Sequence, residues 1–144
     1  MDYKKCAIED LRKYNAMKSS IENMRERISS LYDSYKSVKC STSDATPVKG
    51  GGNMAEERLI GNIVERERLK LNLLATQKLL QAIDRGLGGL TDQERKILDS
   101  FYISGKGSIY KLTQELKYEE RYVYTLKDAA LKKFTIEMYG ITDY

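Results

Sequence analysis

Between Ile21 and Val38 an apolar side chain returns after three residues, then after four, in strict alternation: Ile21, Met24, Ile28, Leu31, Tyr35 and Val38. Side chains at that spacing share one narrow stripe of an α-helix, the seam of a coiled coil, whereas a half-buried strand would alternate every second residue. The stripe reaches back through Met17, Tyr14, Leu11 and Ile8. The other faces carry Lys, Arg, Asp and Glu of mixed sign, as a solvated helix face does. One helix is therefore expected from about Asp2 to Lys39.

A second stripe follows at Leu59, Ile63, Arg66, Leu69, Leu73, Thr76, Leu80, Ile83 and Leu87. It predicts a helix from about Met54 to Leu87, ended by Gly86, Gly88 and Gly89. The stretch between, Cys40 to Asn53, contains the single Pro and the run Gly50–Gly52. That composition predicts a flexible loop over 40–53. Two long helices joined by a loop make an antiparallel, coiled-coil-like hairpin over residues 1–89, with an interaction or oligomerisation role. Such a hairpin buries only one seam, so a homodimer through it is one expectation and a simple spacer stalk is the other.

The last third has shorter periods. Thr91-Asp-Gln-Glu94 has the form of a capping box, in which the Thr hydroxyl takes an orphan amide and Glu94 reaches back. The helix it starts should bury Ile97, Leu98, Phe101 and Ile103, and Gly105-Lys106-Gly107 should break it. Ser108 is a good N-cap for a short helix with Ile109, Leu112 and Leu116 on one face. Lys117-Tyr118 form a turn. A final helix from about Glu119 turns Val123, Leu126, Ala130, Leu131 and Phe134 inward. The whole chain is thus expected to be all-α, with a second domain over 90–144.

A short helix, a turn and a second amphipathic helix are the parts of a helix-turn-helix, whose second helix reads the major groove of duplex DNA. Its outward side here offers Glu120, Arg121, Tyr124 and Thr125 for base edges, followed by Asp128. Ser108, Lys111, Lys117, Lys127 and Lys132 are candidates for phosphate contacts, which set affinity and register rather than sequence. Lys106 and Lys133 lie near the same face. Tyr122 and Tyr124 are the rings to test first. The formal net charge of +4 is compatible with a polyanionic partner.

The run Leu90-Thr-Asp-Gln-Glu-Arg-Lys-Ile-Leu98 resembles the opening of region four of bacterial sigma factors, which reads an upstream promoter element. Val123-Tyr-Thr-Leu126-Lys-Asp-Ala-Ala130-Leu131-Lys-Lys-Phe134 resembles the recognition helix of that region. A long helical segment before a single such module is similar to the small late-transcription regulators of phages and prophages of Gram-positive bacteria, the ArpU and RinA type. The resemblance implies an activator of late phage genes that binds a promoter and meets the host RNA polymerase. It also implies a left-handed residue where Lys117 stands, a place that normally holds Gly, and a Ser or Thr cap where this chain has Glu119.

Other chemistries have little to build on. The chain has no His and two Cys, Cys6 and Cys40, outside any metal-ligand spacing. Without His the usual general base is missing, and neither an enzyme, a metal site nor a cofactor is expected. The glycine clusters follow helices rather than strands, unlike phosphate-cradling loops. No signal-like N-terminus or bilayer-length apolar run is present, so a cytoplasmic protein of a bacterial host cell, without membrane contact, is expected. Two alternatives stand beside DNA-binding regulation. One is a protein-interaction module acting on RNA polymerase or a sigma factor. The other is a small terminase-like DNA-packaging protein.

Overall fold

The computed structural model describes residues 1–43, 52–105 and 107–140. Every element among them is helical: α1 Tyr3–Ser43, α2 Gly52–Gly88, α3 Asp92–Leu98 with a π-helical extension Asp99–Ile103, α4 Ile109–Leu116 and α5 Glu120–Tyr139. Two compact units result, one of Met1–Lys18 with Lys78–Tyr144, the other of Ser19–Gln77. Each long helix contributes to both. The boundary expected at 89/90 therefore does not divide them, because the outer turns of α1 and α2 carry part of the core of the C-terminal helices.

The helices are longer than their composition suggests. Cys40–Ser43 continues α1, and α2 already begins at Gly52. The expected flexible loop is thereby shortened at both ends, and residues 44–51 lie outside the described residues. Helix α2 ends at Gly88, one residue beyond the expected Leu87, with Gly86 inside its last turn. Gly86 is buried, and a Cβ on it would come 2.9 Å from Cε2 of Phe134. This glycine lets an aromatic ring of α5 lie against the backbone of α2.

In the unit of residues 19–77, the half-buried positions of α1 are Ser20 and the predicted seam Ile21, Met24, Ile28, Leu31, Tyr35 and Val38. On α2 they include Ala55, Leu59, Asn62, Arg66, Leu69, Leu73 and Thr76, a strict four-three alternation. Ile63, expected in the seam, is instead exposed, and Asn62 takes its place. The Asn62 amide donates to the Leu31 carbonyl at 2.6 Å, and its carbonyl accepts from Arg66 Nε at 2.8 Å. The Arg66 guanidinium in turn lies 5.2 Å from the Tyr32 ring centre and 4.8 Å from that of Tyr35. Arg27 and Glu65 pair at 3.6 Å beside this node. A polar residue in an otherwise apolar seam costs stability and fixes register; here its amide and carbonyl are both satisfied.

The other unit packs around Ala7 and Leu11 of α1, Ile83 and Leu87 of α2, Leu90, Leu98 of α3, and Ala130, Leu131 and Phe134 of α5. Polar ties surround this core. Tyr14 donates to Asp84 at 2.5 Å, Asn15 Nδ2 donates to the Ile103 carbonyl at 3.4 Å, and Tyr139 donates to Asp10. Burial, and then the Asp84 carboxylate, raise the Tyr14 pKa above its ordinary value. Burial and Asp10 do the same for Tyr139.

Candidate nucleic-acid interface

The capping signals place the three C-terminal helices. Thr91 Oγ1 accepts from Glu94 N at 3.2 Å, and the Glu94 carboxylate accepts from Thr91 N at 3.4 Å, so the box closes as read. Glu94 also meets Lys133 of α5 at 3.1 Å. Burial pushes the Glu94 carboxyl up, but the bonds from Lys133 and Thr91 outweigh it and hold its pKa below the usual value. Ile97 and Leu98 are fully buried, whereas Phe101 and Ile103, inside the π-helical segment, are only half-buried. A π turn inserts one residue per turn and re-aims the side chains beyond it. Ser104 then closes the segment, its N and Oγ both donating to the Asp99 carbonyl. A Cβ at Gly107 would overlap that of Ser100, so this return of the chain demands glycine. Lys106 lies outside the described residues.

Ser108 caps α4, accepting from Lys111 N at 3.1 Å. Leu112 is buried, with Ile109 and Leu116 half-buried on its side. Lys96 and Glu115 join α3 to α4 at 2.7 Å. Helix α4 ends at Lys117, which holds φ 57° and ψ 37°, left-handed. Glu119 is the N-cap of α5 in extended conformation, and among the described residues its side chain makes no capping bond. Helix α5 buries Val123, Ala130, Leu131, Phe134 and Thr135. Thr135, not foreseen in the sequence, is accommodated because its hydroxyl donates to the Leu131 carbonyl at 2.7 Å. Leu126 is half-buried.

Opposite Val123, Ala130 and Phe134, the side chains of Glu120, Arg121, Tyr124, Thr125 and Asp128 are all exposed, whereas farther along the same side Leu131 and Thr135 are buried. At 100° per residue the exposed residues share one side of the first turns of α5, and Lys132 continues the stripe. Thr125 Oγ1 donates to the Arg121 carbonyl at 3.1 Å, so the hydroxyl keeps its capacity to accept. Tyr124 packs at a tilt of 58° against Phe101 with ring centres 5.8 Å apart, and Tyr122 meets Tyr118 edge-on at 4.8 Å. The Tyr118–Tyr122 pair spans the turn; its spacing of four residues was the available signal for it.

The predicted phosphate ligands are not alike. Lys111 and Lys117 are exposed and carry no ion pair among the described residues, as is true of the base-edge candidate Arg121; Ser108 and Lys132 are also exposed. Lys127 is largely covered, its ammonium 5.2 Å from the ring centres of both Phe101 and Tyr124 and 3.6 Å from Asp128. It braces Tyr124 as much as it faces solvent. The same unit also holds an open cleft of about 530 Å³, where Lys18, Arg95 and Lys96 alternate with Asp92 and Asp99. Its mixed signs select no ligand charge. Among the described residues no cluster of three metal-ligating side chains occurs, and no helix is long and apolar enough to cross a membrane.

Comparison with protein families, with curated proteins and with solved structures returned no match.

Proposed function

We propose that this chain is a sequence-specific DNA-binding transcription regulator, with α4, the turn at Lys117 and α5 acting as a helix-turn-helix. The observation that carries the reading is the division of α5. One side is fully buried through Val123, Ala130 and Phe134, while the other exposes Arg121, Tyr124 and Thr125 in the first turns. Beside them stand Lys111 and Lys117, exposed and without an ion pair among the described residues. A reading helix needs this: a side that seats it and a side that enters the major groove, with phosphate ligands around it. Arg121 can fork to a guanine edge, Thr125 and Tyr124 can meet thymine methyls, and Glu120 can accept from a cytosine amine. The acids Glu119 and Glu120 repel phosphate, so this reading requires them to face bases rather than the backbone, and acids set against the backbone would weaken it. The resemblance of 90–98 and 123–134 to region four of sigma factors supports the same reading. It extends the proposal to activation of late phage or prophage genes together with host RNA polymerase. The long helices form the hairpin that brings in a second copy.

The test is selection of bound duplexes from a random pool by the full chain. A consensus should emerge, and Arg121→Ala or Tyr124→Ala should lower affinity for it at least tenfold while far-ultraviolet circular dichroism is unchanged, as expected for loss of about 1–3 kcal/mol of base readout. Lys111→Ala should instead weaken all sequences alike and reduce the salt slope by about one. No consensus, with salt-independent capture of polymerase or sigma factor, would transfer the reading to the protein-interaction alternative. A ring of many subunits would transfer it to packaging.

A further inference from the structure

Helix α2 has a second apolar side. Ile60, Val64, Leu71 and Leu74 are 56, 61, 67 and 50% exposed, on the side of the helix away from its seam residues Leu59, Asn62, Arg66, Leu69 and Leu73. Ile63, displaced from the seam by Asn62, borders them at 41% exposure. Together they present on the order of 500 Å² of apolar side chain, as much as the largest patch an ordinary monomer exposes. One charge interrupts the stripe: Glu67, at its middle.

The order of the stripe identifies its occupant. Val64 stands as far before the Glu67–Arg68 peptide bond as Leu71 stands after it, and Ile60 and Leu74 match about the same point to within one residue. We infer that this side of α2 is the self-association surface, packing antiparallel on α2 of a second copy about a two-fold axis at Glu67–Arg68. In that arrangement Val64 meets Leu71 of the second copy and Ile60 meets its Leu74. The interrupting Glu67 lies opposite Arg68 of the second copy, and by symmetry Arg68 lies opposite Glu67. An isologous interface requires such self-complementarity. Parallel packing would set Glu67 against Glu67 and bury neither. The existing pair of Glu67 with Lys70, at 3.3 Å, is solvent-exposed and weak, so it does not hold Glu67 back. The inference supplies the surface for the second copy named above, and its test uses no DNA, so it stands or falls separately from base reading.

Sedimentation equilibrium of the full chain at micromolar concentration should give a dimer. Leu71→Glu should raise the dissociation constant by roughly thirtyfold or more, as for a central anchor, with helicity by circular dichroism unchanged. Glu67→Arg should weaken the dimer, and Glu67→Arg combined with Arg68→Glu should restore it, a result that general damage to the helix cannot produce. In a Cys6→Ser, Cys40→Ser background, oxidation of a mixture of Val64→Cys and Leu71→Cys chains should yield the mixed disulfide dimer, and Val64→Cys alone should yield little. A monomeric chain, a dimer indifferent to Leu71→Glu, or failure of the charge swap to restore association would overturn the inference.

Discussion

Lys117 occupies a backbone conformation that most L-residues avoid. At φ 57° its Cβ crowds the neighbouring carbonyl, at a cost of about 1–2 kcal/mol that glycine does not bear. The same residue is exposed at the mouth of the turn, where a cation can reach a phosphate. The two facts set opposite signs for one substitution. Lys117→Gly should raise stability by about 1 kcal/mol, because relief of strain exceeds the added freedom of the unfolded chain. It should also weaken DNA binding evenly across sequences through the lost charge. Urea midpoints and anisotropy titrations at two salt concentrations measure both effects. A stability gain without any affinity loss would remove Lys117 from the interface and leave its strain as a fold feature alone. The residue is legible in sequence only through resemblance, since nothing in the local pattern around Leu116-Lys117-Tyr118 demands a left-handed turn.

At the scale of elements, α2 carries two glycines with opposite meanings. A methyl added at Gly61 would meet nothing within 4 Å, whereas at Gly86 the buried ring of Phe134 stands 2.9 Å away. Gly61→Ala should therefore stabilise by up to about 1 kcal/mol through helix propensity. Gly86→Ala should destabilise by about 1–3 kcal/mol despite the same propensity gain, because a core ring has to move. Thermal melts of the two variants should shift in opposite directions. Sequence periodicity could not separate these glycines, because it reports a face and not the neighbour lying against it. The same limit explains Asn62: a hydrophobic pattern selects Ile63 for the seam, while the hydrogen bonds to Leu31 and Arg66 that favour Asn62 exist only once α1 is alongside. Caps were legible because they are local. The Thr91–Glu94 box and the Ser108 cap need only residues within one turn. The π turn at Asp99–Ile103 was not, and with it went the expected burial of Phe101. On α5 the exposure of Glu120, Arg121, Tyr124 and Thr125 follows from 3.6-residue periodicity alone, whereas the covering of Lys127 by Phe101 and Tyr124 includes a contact from another helical segment that the pattern of α5 does not contain.

At the scale of the chain, the residues that seat α5 come from both ends of the sequence. Of the nine buried residues in the main core, Ala7, Leu11, Ile83 and Leu87 precede Leu90. They belong to segments whose stripes read, in sequence, as hairpin seam and nothing more. A stripe on a long helix has the same spacing whether it meets one helix or several, so the boundary at 89/90 follows naturally from composition and misses the shared core. This has a consequence for locating DNA binding by truncation. A fragment of residues 90–144 retains the proposed reading helix but leaves Leu131 and Phe134 without those four partners, and loses the anchors of Tyr139 on Asp10 and of Asn15 on Ile103. It should show low helicity and bind a hydrophobic dye, and its failure to bind DNA would then reflect folding. In the intact chain, Leu11→Ala should cost about 2–5 kcal/mol, the range for a fully buried leucine, and should lower the melting of α5 even though Leu11 lies over a hundred residues away in sequence. Hydrogen exchange at Val123–Phe134 in the Leu11→Ala chain measures this directly. Unchanged protection there, or a well-folded 90–144 fragment, would mean that the C-terminal helices carry their own core through Ile97, Leu112 and Val123 and use α1 only as a neighbour.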